Sequence, residues 1–146
     1  MKRTSQIWPA VGIGLLIAAT APRVWAQGDV SAAPKSVLQG AYSEAQAATG
    51  EDVYRLNCTS CHNSSILSGR TFQLAWAGRT AFDLYDRLRT TMPLDDPGRL
   101  SEQEYVDIVA YLFKLNGYPA GQTALTPARE RLKQLRIDAR MESTSP

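Results

Sequence analysis

The stretch Ser101-Glu102-Gln103-Glu104-Tyr105-Val106-Asp107-Ile108-Val109-Ala110-Tyr111-Leu112-Phe113 decides the fold class. The Ser101 hydroxyl is placed to cap the free backbone amides of a helix start while Glu104 reaches back, a reciprocal pattern that opens helices. Tyr105, Ile108, Val109, Leu112 and Phe113 then recur at i, i+3, i+4, i+7 and i+8, which makes one apolar helical face. Gly117 is a natural stop. Nearer the N-terminus, Thr80 with Asp83 repeats the capping signal, and Phe82, Tyr85 and Leu88 predict a short helix over 81–90 that must end before Pro93. Further back, Ala45, Thr49, Val53 and Leu56 predict a helix over 43–57, with Gly50 as its weak point. Residues 63–78 read as loop, apart from a turn near Phe72 to Trp76. Beyond Thr126-Pro127 a short helix carries Leu132 and Leu135 among basic residues and reads as a solvated amphipathic tail. No run has strand period and no segment repeats, so the class is all-α.

Composition narrows the function. The chain has 146 residues, 44% hydrophobic and 21% charged, room for one globular domain. Residues 1–26 read as a cleaved secretory signal: Lys2 and Arg3 at the start, an apolar run from Ile7 to Ala21, and Val24-Trp25-Ala26 before the cut. That run contains Pro9, Gly12 and Gly14 and falls short of the ~20 residues that span a bilayer, so no stable membrane insertion is expected after cleavage. Losing Lys2, Arg3 and Arg23, and no acidic residue, takes the net charge from +2 to −1. A nearly neutral protein has no strong field for polyanions, which argues against nucleic acid as a partner. Residues 27–40 read as a loose lead-in, 41–121 as the domain proper, and 122–146 as a C-terminal extension.

Both cysteines and the only histidine fall within Cys58-Thr59-Ser60-Cys61-His62. In an exported, oxidising setting these thiols must be disulfide-bonded, modified or metal-bound. The C-x-x-C-H spacing is that of c-type haem attachment: two thiols reach the two vinyl groups on one haem edge, and the next imidazole comes beneath the iron. Three other readings compete. Closed zinc needs four N or S ligands, and no further Cys or His completes the set. A thioredoxin-like pair needs an α/β setting that the pattern lacks. A disulfide across so small a loop stabilises little. The sixth position on a haem iron decides between electron transfer, gas binding and catalysis. Met92, in Thr90-Thr91-Met92-Pro93, is the candidate, since Met1 leaves with the leader and Met141 lies in the tail. Pro93 biases it toward extended backbone, suited to presenting a side chain from a loop. Core filler is the alternative for any methionine. A His/Met pair fills both axial positions, raises the potential and leaves no open site, which suits an electron carrier.

From about Gly50 to Gly121 the sequence resembles a class I c-type cytochrome. The resemblance rests on the helix running into Cys58-x-x-Cys61-His62, the Met92-Pro93 loop and the helix containing Ala110-Tyr111-Leu112. A finer likeness is to the cytochromes that accompany pyrroloquinoline quinone dehydrogenases. It rests on Trp76-Ala77-Gly78-Arg79-Thr80, Asp83-Leu84-Tyr85, Arg89-Thr90-Thr91-Met92-Pro93, Pro97-Gly98-Arg99-Leu100-Ser101 and Asn116-Gly117-Tyr118-Pro119-Ala120-Gly121.

The resemblance implies a cytochrome c fold, three to five helices around one haem c attached through Cys58 and Cys61, with His62 and Met92 on the iron. It also implies that Gly50 and Tyr54 meet Tyr111 and its neighbours, the glycine permitting close approach. Trp76 and Arg79 are candidate partners of the haem propionates, with core aromatic and solvated arginine as the alternatives. Tyr54 and Tyr85 are expected in the core. The implied role is a periplasmic one-electron carrier, a monomer or in transient complexes, not an enzyme. Its donor would be a periplasmic, quinoprotein dehydrogenase and its acceptor another cytochrome or terminal oxidase. A gas- or peroxide-binding haem sensor and a fixed cytochrome subunit of a dehydrogenase complex are the alternatives. At one place the sequence departs from the family pattern: residues 63–91 contain no proline to offer a carbonyl to the distal histidine nitrogen. A carbonyl within 64–70 is expected in its stead.

Overall fold

The computed structural model describes Ala33 and residues 35–140; the predicted leader and the first part of the lead-in lie outside the described residues. Among the described residues there are five α-helices and no strand: α1 (Glu44–Asn57), α2 (Gly69–Trp76), α3 (Ala81–Thr91), α4 (Glu102–Leu115) and α5 (Arg129–Gln134). This is the all-α architecture of a cytochrome c fold.

The capping residues act as their sequence positions require. Thr80 accepts from the Asp83 amide while the Asp83 carboxylate accepts from Thr80, and Ser101 and Glu104 repeat the exchange at the start of α4. Ser43 caps α1 by accepting from the Gln46 amide at 3.2 Å. Gly117 turns the chain out of α4 at φ 68°, a conformation that favours glycine.

Helices α1 and α4 cross at Gly50. A Cβ there would run into the Asp107 carbonyl, so the two backbones meet with nothing between them. Four residues on, the Tyr54 and Tyr111 rings stand 5.3 Å apart. The crossing also carries a buried polar clasp: the Gln46 amide donates to Asp107 Oδ1 at 2.9 Å and to the Leu125 carbonyl at 2.7 Å, while Gln46 Oε1 accepts from the Leu125 amide. Every residue of α4 from Tyr105 to Phe113 is buried, not one face alone. The helix is central, with α1 and α3 against it and the segment around Leu125 bound to the Gln46 clasp at its Asp107.

The structure corrects three expectations. Residues 63–78 are not loop: a 3-10 turn (Ser64–Leu67) leads into α2, which buries Phe72. Residues 35–40 are not loose, since Ser36 and Gln39 cap a 3-10 turn (Val37–Gln39) with Val37 fully buried. The basic C-terminal segment is not a solvated tail: Leu132, Leu135 and Ile137 are all buried. The backbone leaves α5 at Leu135 and becomes extended, so spacing changes from three to two and all three side chains reach one side. There the chain joins two others. Val37 donates to the Arg136 carbonyl and Arg136 to Lys35; Ala81 donates to Leu135, Gly78 to Ile137, and Ile137 to Arg79. Arg129 and Lys133 lie over the Phe82 ring, at 4.7 and 5.6 Å, and so cover it.

Candidate haem-attachment site

Cys58 ends α1, its amide donating to the Tyr54 carbonyl at 2.8 Å. Its own carbonyl then accepts from both the Cys61 amide (3.1 Å) and the His62 amide (2.8 Å). This tight turn gathers the two sulfurs and the imidazole at the end of one helix, the arrangement that two-point attachment beside an axial ligand requires. Both thiols are free. Cys58 is half-buried against the core and Cys61 is exposed. Burial pushes the Cys58 thiol up, while the nearby Arg99 charge opposes the shift.

The Tyr54 hydroxyl donates to the His62 carbonyl at 3.2 Å. The His62 ring is different: Nδ1 is buried and has no hydrogen-bond partner. The expected carbonyl from 64–70 does not reach it. The reason lies in the turn that follows. Asn63 caps that turn through its side chain, the Asn63 carbonyl accepts from Ile66, and Ser65 accepts from the Ser68 hydroxyl. The Leu67 carbonyl is taken by Asn116, whose Oδ1 also accepts from the Gly69 amide at 2.9 Å. Asn116 thus pins the segment after the attachment motif to the end of α4. Its position at the helix end is visible in the sequence, but its partners are not.

Two free thiols at this spacing, with an imidazole directly after the second, fit a pair of sulfurs held covalently beside a ring held by a metal. Among the described residues no group of three or more His, Cys, Asp and Glu is placed to hold a metal ion, so the zinc reading has no ligand set there.

Met92 caps the C-terminus of α3. Its backbone is extended (φ −133°, ψ 148°), as the following proline predicts, and its side chain is half-buried. Its carbonyl accepts from the Tyr105 hydroxyl at 2.6 Å. The chain then turns, with Asp96 donating to Pro93 and Arg99 to Asp96, and the Arg99 guanidinium donates to Asn57 Oδ1 at 3.0 Å. The loop that begins at Met92 therefore returns to the residue preceding Cys58, which brings the methionine loop and the attachment motif together. Sequence reasoning missed both Arg99 and the Tyr105 hydroxyl. Arg99 gives no local signal, and Tyr105 reads as an apolar position in its helix.

Trp76 ends α2 and is half-buried against the core; Arg79 is exposed, with its guanidinium 5.6 Å from the Trp76 ring centre. Together with Asp83, Asp86 and Arg87 they line a cavity of about 610 Å³. A second cavity, about 480 Å³, is lined by Cys61, His62, Tyr54 and Tyr111. The larger cavity is the one without the cysteines, and Met92 lines neither. Tyr54 and Tyr85 are in the core, as expected.

Residues 45–112 match the family model described as cytochrome c oxidase, cbb3-type, subunit III, a little under half of the chain. No curated protein and no solved structure matches. The matched segment contains Cys58, Cys61, His62, Met92, Trp76 and Arg79 and stops short of the C-terminal segment that covers α3. No helix among the described residues is long and apolar enough to cross a membrane. The family match supports a class I c-type cytochrome domain, and with it a haem-based electron carrier and not an enzyme.

Proposed function

We propose that this chain is an exported, periplasmic mono-haem cytochrome that carries single electrons from a quinoprotein dehydrogenase to another cytochrome or a terminal oxidase. The observation that carries the reading is the turn at the end of α1, where the Cys58 carbonyl accepts from the Cys61 and His62 amides and so sets both thiols and the imidazole together. Cys58 and Cys61 would hold the haem by thioether bonds, and His62 and Met92 would take its two axial positions. A haem so held supplies a ferric/ferrous couple that passes one electron at a time. Around it the chain's part is positional. Asn116 fixes the segment after His62, and the Asn57–Arg99 hydrogen bond ties the methionine loop to the motif. Trp76 and Arg79 would donate to the propionates, the first through its indole N–H and the second through its paired guanidinium donors.

Absorption spectra of the exported protein and of Met92→Leu test this assignment. Thioether-linked haem is expected in both, with the red sulfur-to-iron band absent only from the variant. A band that survives the substitution removes Met92 from the ligand set. The family's name favours a second reading, a cytochrome subunit held within an oxidase complex. Stable co-purification with oxidase or dehydrogenase subunits would select it over a free carrier.

A further inference from the structure

The hydroxyl of Tyr105 has its donor and its acceptor occupied by the two ends of one loop. It donates to the Met92 carbonyl at 2.6 Å and accepts from the Gly98 amide at 3.1 Å. Tyr105 is 1% exposed and sits in the first turns of α4, inside the core. Its ring meets the Tyr85 ring of α3 edge-on at 6.5 Å, so α3 and α4 fix where the hydroxyl lies. Gly98 has φ +85°, the left-handed backbone that glycine adopts readily, which turns its amide back toward that oxygen. Pro93 is buried at the start of this loop, and beyond this hydroxyl the hydrogen bond from the loop's end to another part of the molecule is Arg99–Asn57, made by exposed groups.

Resting on the assignment of Met92 as an axial ligand, we infer that Tyr105 is a positioning residue. Its hydroxyl closes the 92–98 loop at both ends and so holds the Met92 sulfur on the iron. Without it the fold keeps its core, because phenylalanine retains the ring and the contact with Tyr85. The loop loses the bond at each end and opens more often.

Carbon monoxide reads that opening in the ferrous holoprotein, because it takes the position the sulfur leaves with no change in oxidation state. Losing one or both hydrogen bonds corresponds to a roughly tenfold to hundredfold rise in the open population. Tyr105→Phe is therefore expected to capture carbon monoxide faster by that factor and to speed hydrogen exchange at the Gly98 amide. Tyr42→Phe is the control. It removes a hydroxyl as deeply buried, one that donates to the Tyr118 carbonyl at 2.7 Å away from this loop, and should change neither readout. Equal capture rates in Tyr105→Phe and Tyr42→Phe would overturn the inference. So would a wild-type Gly98 amide that exchanges as fast as an exposed one, a measurement that needs no variant. Met92→Leu separates the two levels. If the red band survives there, the ligand assignment fails; if it vanishes there while Tyr105→Phe behaves as wild type, only the positioning role fails.

Discussion

Where α1 crosses α4, Gly50 lies directly on the Asp107 carbonyl, and Gln46 and Gln103 both donate to the Asp107 carboxylate. Between Met92 and Gly98 Pro93 is buried, and the hydrogen bonds that tie the segment to the body are those of one tyrosine hydroxyl, with an exposed arginine contact following. The first region has no slack, because backbone meets backbone. The second depends on a few polar contacts, each worth about 1 kcal/mol net. A rigid base for the attachment motif thus stands opposite a methionine loop that a small free energy can release. Regions with few buried apolar contacts open locally at much lower cost than the core.

The largest effect should come from Gly50→Ala. Alanine favours a helix interior by up to about 1 kcal/mol over glycine. The added Cβ, however, meets the backbone of α4, which cannot rotate away as a side chain could. Overpacking of this kind costs about 3 kcal/mol or more and outweighs the propensity gain. Chemical denaturation should show that net loss, and a variant as stable as wild type would mean the crossing has slack after all.

Ser101→Ala lies at the junction of loop and frame and should cost about 1 kcal/mol, the usual worth of an N-cap. The same cap gives a pH signature. The Ser101 amide and hydroxyl hold the Glu104 carboxyl below its ordinary value of 4.5. A depressed folded-state value means that the stabilisation is complete well above pH 4.5 and is lost as pH falls through the folded value. The stability gap between wild type and Glu104→Gln should therefore narrow on acidification below about pH 4.5; a gap that stays constant from neutral to acid pH would show that the charge is not what matters.

The smallest effect belongs to Arg99→Ala. Its hydrogen bond to Asn57 is between exposed groups, so global stability should change by less than about 1 kcal/mol. A loss as large as that of Gly50→Ala would erase the contrast between the two regions.

How legible each region was in the sequence follows the same division. Helices α3 and α4 announce themselves because capping boxes and apolar period are local properties, readable within a dozen residues. The close approach at Gly50 comes from family likeness, since a glycine in a helix reads locally only as a weak point. Helix α2 was hidden: it is eight residues long, begins at a glycine and buries only Phe72. The C-terminal segment misled for a different reason. Leu132, Leu135 and Ile137 share one side only because the backbone changes from helical to extended between them, and a single-period reading cannot see such a change.

At the site, the motif residues are legible because two thiols and an imidazole at fixed spacing stand out within five residues. The groups that hold the loop are not, since a hydroxyl at the tip of a core tyrosine looks like any other apolar position. The carbonyl expected within 64–70 as partner of the His62 ring is not found at Nδ1: in that segment the Ser68 hydroxyl and Asn116 engage the carbonyls of Ser65 and Leu67, contacts with no local signal.

Intact-mass measurement of the protein, expressed in a host that matures c-type cytochromes, shows whether haem is covalently bound. One haem bound through Cys58 and Cys61 predicts the peptide mass plus a single haem, retained under denaturing acid. Recovery of the bare peptide mass from that host would mean that Cys58 and Cys61 carry no haem.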